Sequence, residues 1–326
     1  MSSVPPATAL PATRPRRAPD ASRALAGGLA IAIVFALLPL ALSTYQLSLA
    51  TEILIFALLA MSIDMLAGYA NLVSLGHGAI FGTATYVVLY WTTVLGGSPW
   101  VAIALGVVAA TALSVVFALF ATRVSGVYFL LLTLALGMIV WGVCLRWTSV
   151  TGGENGIRGA GRPALIADPA VFYYAVLVIV MALTFLAWRF VKSPFGLTLN
   201  GIRDSASRMR SLGYNVPLHV FLAFTASGFV AGVAGACYAL FNNFVSPSTV
   251  QLSQSVEGLL MAIIGGVGTL FGSFIGAAVI IVLENVVSGY TQRWPMVLGA
   301  MFIVTMILAP EGIVGTVRKL FARRRH

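Results

Sequence analysis

The chain has 326 residues, of which 60% are hydrophobic and only 9% are charged. A soluble domain of this size would carry about 25% charged residues, so composition excludes an ordinary soluble globular protein. The net charge is +10. In a membrane protein, the distribution of Lys and Arg among the loops indicates which loops face the cytoplasm. No nucleic acid partner is therefore predicted from the net charge.

Several runs of 18 or more residues carry no charge, which is the length that a helix needs to cross about 30 Å of hydrocarbon. They predict an all-α membrane protein with about ten transmembrane helices, some short or broken. The predicted spans are 24–43, 47–67, 73–95, 99–122, 127–145, 169–190, 218–240, 256–269, 272–289 and 294–310.

The ends of the chain differ from this apolar middle. Residues 1–23 are rich in Pro, Ala and Arg and predict a disordered basic tail, and residues 318–326 predict a second basic tail. Between them, residues 24–317 are expected to form one transmembrane domain. A signal peptide is the alternative for residues 14–43, but the apolar core is longer than the usual 7–15 residues and further spans follow.

Charge distribution predicts the orientation. Ten crossings place both termini on one side, and if that side is the cytoplasm, fifteen of the 19 Lys and Arg residues face inward. Only Arg146, Arg158, Arg162 and Arg293 then face outward. This asymmetry follows the positive-inside rule and favours cytoplasmic termini.

A short pattern occurs twice. Residues 76–83 and 266–273 share G-x-G-x-x-F-G-[ST], each at the cytoplasmic start of a predicted span. Transporters often carry internal repeats with binding sites near broken helices, although glycines also let helices approach closely without any function. Candidate pathway or gate residues from these regions are Gly76, His77, Gly78, Gly265, Gly266 and Gly268.

Other polar residues in the spans have two interpretations each. His77 could line a pathway or sense pH, or be a hydrogen-bonded packing residue. Thr133 and Gly137 form either a polar patch beside a passage or a helix-packing notch. Glu257 is a further pathway candidate, but it is predicted to begin a helix near the outer end of its span, where a carboxylate suits the helix dipole.

Two further groups are weaker candidates. Asp64 and Glu284 also lie in or near spans, where an ionisable group is a functional hypothesis by default. The outer loop contains Gly152, Gly153, Glu154, Asn155 and Gly156, whose backbone N–H groups could form an anion-binding nest. A mobile loop, or a surface for a binding protein, is the alternative. Cys144 and Cys237 lie in apolar spans and predict neither a disulfide nor a metal site.

The loop 191–217 is unusually polar for this chain. Ile202, Ala206, Met209 and Leu212 fall on one face of a predicted short helix, with Gly213 as its C-terminal cap and Pro217 preventing continuation. Such a helix either lies in the lipid headgroups or inserts its apolar face into a groove on a partner. The polar positions around that face are Arg203, Asp204, Ser205, Arg208 and Arg210.

Gly213-Tyr214, following the run 203–208, resembles the cytoplasmic coupling loop of branched-chain amino acid ABC transporter permeases. Further stretches resemble the same family in the same order. They are G-Y-x-x-x-x-S-L-G-H at 68–77, R-x-x-G-x-Y at 123–128 with Thr133-Leu134, T-G-G-x-x-G at 151–156, S-x-E at 255–257 with G-G-x-G-T at 265–269, and P-x-G-[IL]-x-G at 310–315. Asp64 departs from the family, which usually has asparagine there, and Asn71 stands where glycine is common.

The resemblance implies a permease subunit that imports amino acids, chiefly branched-chain ones, across the bacterial inner membrane by alternating access; related importers carry urea and other small solutes. The chain lacks G-x-x-x-x-G-K-[ST], the loop that cradles ATP phosphates. ATP and magnesium would therefore belong to separate ATPases, and this chain would bind no cofactor and catalyse no reaction. The implied partners are two ABC ATPases, a second permease or a second copy, a substrate-binding protein outside and the lipid bilayer.

On this resemblance, the coupling helix docks in a cleft of the ATPase. The residues expected to make that contact are Ile202, Arg203, Asp204, Ser205, Arg208, Met209, Leu212 and Gly213. The rival hypothesis is a secondary transporter driven by an ion gradient, which would use Asp64 or Glu284 as its titrating group. An intramembrane enzyme is disfavoured because the chain has no paired catalytic carboxylates, H-E-x-x-H or G-x-S-x-G.

Overall fold

A computed structural model describes residues 39, 42–291, 293–309 and 312–316. The predicted tails 1–23 and 318–326, and most of the predicted first span, lie outside the described residues. The principal helices of the described part are α1 Thr44–Ala70, α2 His77–Thr93, α3 Pro99–Ala121, α4 Val127–Arg146, α5 Pro169–Lys192, α6 Pro194–Ser211, α7 Val216–Asn242, α8 Leu252–Gly265, α9 Gly272–Ser288 and α10 Trp294–Leu308.

Nine predicted spans, from 47–67 to 294–310, each coincide with one of these helices. Helices α1, α3, α4, α5 and α7 are long and apolar enough to cross a membrane, while α8 and α9 are shorter apolar helices. An all-α, multi-pass membrane protein is therefore confirmed. The total of ten crossings stays a prediction.

Helix α1 forms the centre of the bundle. It packs against α5, α7, α8 and α9, and 89% of its most apolar window is buried, against 22% for α4. An α-helix that is apolar on all sides is typical of a buried position, whereas the apolar residues that α4 exposes face the bilayer or a partner. The residues at the two ends of α1 are consequently well placed to transmit movement through the protein.

The α1–α2 connection differs slightly from the predicted boundaries. Helix α1 ends at Asn71, whose φ of 54° is left-handed, and α2 begins only at His77. Asn is one of the few residues besides Gly that adopts this conformation readily. The presence of Asn71 where the family commonly has glycine therefore has a simple backbone explanation.

One prediction about α8 is wrong, and the repeated glycine pattern is not a structural repeat. Glu257 does not begin a helix, because α8 starts at Leu252 and places Glu257 in its middle. The second copy of the glycine pattern is a loop in which Gly266 and Gly268 have φ of 119° and 81°, whereas Gly76 has a φ of −97° and the helix α2 starts immediately after it. The two copies thus adopt different structures.

A small antiparallel sheet forms at the opposite end of α5 from α6. Its strands are β1 Ile157–Arg158 and β2 Phe244–Val245, paired as Ile157 with Val245 and Arg158 with Phe244. Between this sheet and α6 the chain runs through the 24 residues of α5, a length of about 36 Å at 1.5 Å per residue. The sheet and α6 are therefore at the two ends of the bundle.

Candidate functional site: the α6 junction and a glutamate cluster

Helix α6 is bent at Ser205, so the single short helix predicted over 202–212 is wrong. Ser205 has extended backbone angles, φ −164° and ψ 100°, and its hydroxyl accepts a hydrogen bond from the Arg208 N–H at 3.3 Å. Serine commonly caps a helix N-terminus in this way. The segment therefore consists of a helix over 194–204 and a second short helical piece over 206–211.

The bend separates the predicted docking residues into two groups. Ile202 is 7% exposed and packs within its own chain, while Leu212 and Tyr214, just beyond the second piece, are 66% and 45% exposed. Met209 is half-buried against Gly201. The remaining predicted docking residues are exposed or half-buried polar positions and the left-handed Gly213: Arg203, Asp204, Ser205, Arg208 and Gly213.

Arg203 connects α6 to the centre of the bundle. Its Nη1 donates a hydrogen bond to the Gly68 carbonyl oxygen at 2.7 Å, in the last turn of α1. The last carbonyls of a helix lack partners within the helix, and a cation there also interacts favourably with the helix dipole. Arg203 is therefore a direct mechanical link between the exposed segment and the central helix.

The same end of α1 holds the loop between α8 and α9. The Gly268 N–H donates to Asp64 Oδ1 at 2.6 Å, and the Tyr69 hydroxyl donates to the Gly268 carbonyl at 2.9 Å. A Cβ on Gly68 would stand 2.5 Å from the Gly268 Cα, so the two backbones are in contact. We call these five residues, Asp64, Gly68, Tyr69, Arg203 and Gly268, the α6 junction.

Asp64 is fully buried in this junction. Its Oδ1 binds Gly268, but its Oδ2 has no hydrogen-bond partner among the described residues. A buried polar atom without a partner is uncommon and costs free energy. Oδ2 of Asp64 is thus the strongest structural feature in favour of an ion-coupled mechanism.

The other residues predicted to line a pathway lie inside the helix packing. His77 is fully buried, with its Nδ1 3.1 Å from the Ser74 hydroxyl and its Nε2 2.7 Å from that of Ser227. Ser227 in turn donates to the Ser62 carbonyl, so it accepts from the histidine. These contacts place His77 as the hydrogen-bonded packing residue of the two alternatives.

The neighbouring candidates also make packing contacts. Gly78 donates its N–H to the Ser255 hydroxyl at 2.8 Å. Thr133 is fully buried, accepts from the Leu75 N–H at 3.1 Å, and lies one turn from Gly137, which is close to the Leu75 carbonyl. Gly76, Gly265 and Gly266 are buried as well. These contacts bring helices together, and a role of these residues in a pathway or gate stays a prediction.

A second polar group involves residues of α1, α7, α8 and α9 and was missed in part. Glu52 of α1, Glu257 of α8 and Glu284 of α9 are half-buried, and the charge of Glu284 acts on both of the others. All three act on Tyr238 of α7. We call these four residues the glutamate cluster. Sequence analysis selected Glu257 and Glu284 but not Glu52 or Tyr238, whose positions follow only from the packing of four helices.

The outer glycine loop is folded tightly, which disfavours the anion nest among its alternative interpretations. The Gly152 N–H donates to Thr148 and that of Gly156 to Gly153, while the Gly153 N–H donates to the Thr151 hydroxyl. These three N–H groups are therefore occupied. Glu154 and Asn155 form one short 3-10 turn with Gly153 and are exposed.

Arg162 fixes this loop to the end of α7. Its Nε donates to the Leu240 carbonyl at 3.1 Å and its Nη2 to that of Phe241 at 3.4 Å. Its guanidinium lies 4.3 Å from the ring centroid of Phe172, within the range of cation–π attraction. Partial burial lowers the pKa of the Arg162 guanidinium from its usual value.

No group of three or more His, Cys, Asp or Glu side chains in the described part is placed to hold a metal ion.

The family model and the similar proteins indicate the same family. Residues 45–308 match the family model described as the permease component of branched-chain amino acid transport systems. The chain is 24% identical to the high-affinity branched-chain amino acid transport permease LivM of Salmonella typhimurium, over 89% of this chain and 75% of the relative. It is 23% identical to LivH of Escherichia coli, over 80% and 91% respectively.

Another relative, which matches a smaller part of the chain, is named for a different transported compound. The autoinducer 2 import permease LsrC of Klebsiella pneumoniae is 27% identical, over 44% of this chain and 43% of its own length. No solved structure matches this chain.

Proposed function

The chain belongs to the family of branched-chain amino acid transport permeases, and from that premise we propose that it is the membrane subunit of an ATP-driven importer. It forms the passage for amino acids, of which branched-chain ones are favoured by the names of LivM and LivH. The observation that carries the proposal is the α6 junction, in which an exposed segment is tied by Arg203 to the central helix.

The proposed mechanism starts at the exposed end of α6. A separate ABC ATPase contacts residues 206–214 through Leu212 and Tyr214, which are exposed apolar side chains at a polar surface. The arginines at 208 and 210 are exposed beside them and set the register of docking. An amphipathic element in a groove is a common recognition mode, and two desolvated anchors surrounded by polar groups fit that mode.

Movement of the ATPase then reaches the passage through the junction. Arg203 transfers displacement of α6 to the end of α1, and Asp64 and Tyr69 transfer it to Gly268 in the loop before α9. Helices α1, α8 and α9 carry three members of the glutamate cluster, so a shift of these helices changes the spacing of its carboxylates. Rigid-body movement of packed helices is a standard element of such switches.

The implied assembly contains two ATPases, a second permease or second copy of this chain, and a substrate-binding protein outside the bacterial inner membrane. Both termini lie in the cytoplasm on this proposal, because that orientation places most arginines inside. ATP and magnesium bind to the ATPases, and this subunit has no enzymatic activity of its own.

Co-purification tests the docking step. The tagged chain is solubilised gently from native membranes, purified, and analysed for an associated ATPase. Leu212→Asp should remove the ATPase, because it places a charge in an apolar contact. The matched control is Leu165→Asp, an exposed leucine at the sheet end (75% exposed), which should leave the ATPase bound. Equal recovery with both variants would exclude residues 206–214 as the docking element.

A secondary transporter is the second candidate, favoured by the unpartnered Oδ2 of Asp64. Asp64→Asn distinguishes the two, since asparagine keeps the oxygen that accepts from Gly268 but cannot titrate. Under the importer proposal, uptake persists in this variant. Abolished uptake in a protein that still folds would favour coupling to an ion.

A further inference from the structure

A cavity of about 420 Å³ opens beside the β1–β2 sheet, lined by Arg158, Gly159, Gly161, Asn242, Asn243 and Phe244. Small-molecule sites usually have volumes of about 300–1,000 Å³. The cavity lies at the end of α7 that is remote from α6. In the proposed orientation, that end faces the outside of the cell.

Hydrogen bonds and a ring contact hold the walls of this cavity in place. The Gly159 N–H donates to the Asn243 carbonyl at 2.7 Å, which extends the strand pairing by one residue. Arg162 adds its two hydrogen bonds to the carbonyls at the end of α7 and its contact with Phe172. The cavity is therefore largely pre-formed, which lowers the entropic cost of binding a ligand.

Arg158 is the charged residue among those that line the cavity, and its side chain makes no contact with the described residues that stabilises the fold. Its neighbour Arg162 makes three structural contacts, but the Arg158 side chain has no hydrogen bond or ion pair with any described residue, and it is exposed. A guanidinium presents a planar fork of donors that suits a carboxylate bidentately. A free guanidinium on a preformed concave wall points to a small anionic group as its ligand.

The amides of Asn242 and Asn243, which also line the cavity, supply acceptors. Asn242 Nδ2 donates to the Phe244 carbonyl at 3.1 Å and to the Tyr238 hydroxyl at 3.3 Å, and a carbonyl partner requires a donor, so the amide orientation is fixed. Asn242 Oδ1 accepts from no described residue. Asn243 likewise uses its Nδ2 within the chain. The lining of the cavity thus includes a cationic donor and amide oxygens.

Asn242 also connects the cavity to the glutamate cluster. Tyr238 lies one helical turn before Asn242 on α7, and its hydroxyl is the group that accepts from Asn242. The same tyrosine interacts with Glu52, Glu257 and Glu284. A ligand leaving the cavity toward the centre of the bundle would therefore meet carboxylates, which attract an ammonium group.

We infer that this cavity is a receiving site for a zwitterionic α-amino acid, whose carboxylate binds Arg158 and whose ammonium group is bound by the amide oxygens of Asn242 and Asn243. The inference rests on the proposed function and assigns a substrate class to this end of the passage. The glutamate cluster then receives the ammonium end as the amino acid moves inward. A neutral solute would leave Arg158 without a partner, and a purely anionic one would face repulsion from the cluster.

Equilibrium binding to the purified complex without its binding protein tests this inference. Tritiated leucine, isoleucine, valine and alanine are the probes, measured by scintillation proximity, with unlabelled leucinamide and N-acetylleucine as competitors. At least one amino acid should bind the wild type. Leucinamide lacks the carboxylate and N-acetylleucine lacks the ammonium group, so each should compete at least about tenfold more weakly than the free amino acid.

Variants of the chain complete the test. Arg158→Gln should weaken binding about 10- to 100-fold, because it removes a charge-assisted contact, and Arg158→Lys should restore part of the affinity. The matched control is Arg146→Gln, an exposed arginine at the end of α4 outside the cavity, which should bind like the wild type. A thermal melt of each variant checks that it folds like the wild type.

Two results would overturn the inference. They are no binding of any of the four amino acids to the wild type, and equal binding by Arg158→Gln and the wild type. ATP-driven uptake by the wild type is measured in parallel, and its failure would reject the proposed function, whereas normal uptake with either of these two results rejects only the receiving site.

Discussion

The two ends of the bundle are both held by an arginine that donates to the last carbonyls of a buried helix, but they are held with different strength. At the sheet end, Arg162 makes two hydrogen bonds and a ring contact, and strand pairing adds to these. At the α6 end, Arg203 makes one hydrogen bond to Gly68, and the segment beyond the bend at Ser205 leaves Leu212 and Tyr214 exposed.

The difference indicates which end is built to move. Exposed backbone hydrogen bonds and few buried contacts are typical of segments with low local stability. The part of this end beyond Ser205 has these properties, while the first part of α6 packs against α1, α5 and α7, so a partner that displaces the exposed part would act on these helices through α6. The sheet end is a fixed platform suited to receiving a ligand.

The largest effect is expected from removing the hydrogen bond between Arg203 and the Gly68 carbonyl. Arg203→Gln should lower ATP-driven uptake in proteoliposomes at least about tenfold, because one charge-assisted hydrogen bond transmits the movement. ATP hydrolysis by the associated ATPase should continue, since docking residues remain. The control is Arg123→Gln, an exposed arginine in the loop after α3 that is outside the docking segment. Equal uptake by both variants would remove Arg203 from the transmission route.

Crowding the same junction should destabilise it. Gly68→Ala would place a Cβ 2.5 Å from the Gly268 backbone, and overpacking of this kind costs about 1–3 kcal/mol. The thermal midpoint of the purified protein in detergent should fall. Gly142→Ala, on the open face of α4 with nothing within 4 Å, is the matched control and should leave the midpoint unchanged or slightly higher. Equal midpoints would mean that the two backbones are not in contact.

A local loosening is expected at the sheet end when Arg162 loses its charge. Arg162→Met keeps an apolar stem but removes two hydrogen bonds and the cation–π contact, a loss of about 2 kcal/mol. Hydrogen exchange at the Gly159 amide should accelerate about 30-fold, with α6 unaffected. Arg146→Met should leave this exchange rate at its wild-type value. Acceleration at both ends of the bundle would contradict their independence.

The smallest effect is expected from Asp64→Asn. Asparagine retains the oxygen that accepts from Gly268, so uptake with ATP should change less than about threefold. Asp64→Leu removes that acceptor and should impair uptake much more. A strong loss with asparagine alone would show that the negative charge, and not the hydrogen bond, matters.

Hydropathy predicted the helices well because membrane spans need long apolar runs whatever their neighbours are. Local backbone signals also held: Gly213 takes the left-handed conformation expected after a helix, with φ 87°. The bend at Ser205 was missed since the periodicity of Ile202, Ala206, Met209 and Leu212 ignores a serine that can cap a new helix. The available signal was Ser205 itself, because serine is a preferred N-cap residue.

The sites were predicted less completely than the helices. Gly68 and Tyr69 were part of a recognised motif, but their contact with Gly268 joins positions 200 residues apart. Arg158 and Arg162 were counted only as outward-facing charges. That Arg162 binds the end of α7 while Arg158 lines the cavity depends on the folding of the sheet against α7. Glu52 and Tyr238 carry no motif at all, so only helix packing brings them together.

The most direct test of an ATP-driven importer is uptake into proteoliposomes containing the complete complex, with the energy source as the only variable. Tritiated amino acid and binding protein are supplied on one side, with either ATP on the other side or an imposed proton or sodium gradient without ATP. The proposal predicts uptake with ATP and none with either gradient alone. Uptake driven by a gradient in the absence of ATP would contradict it and establish the secondary transporter.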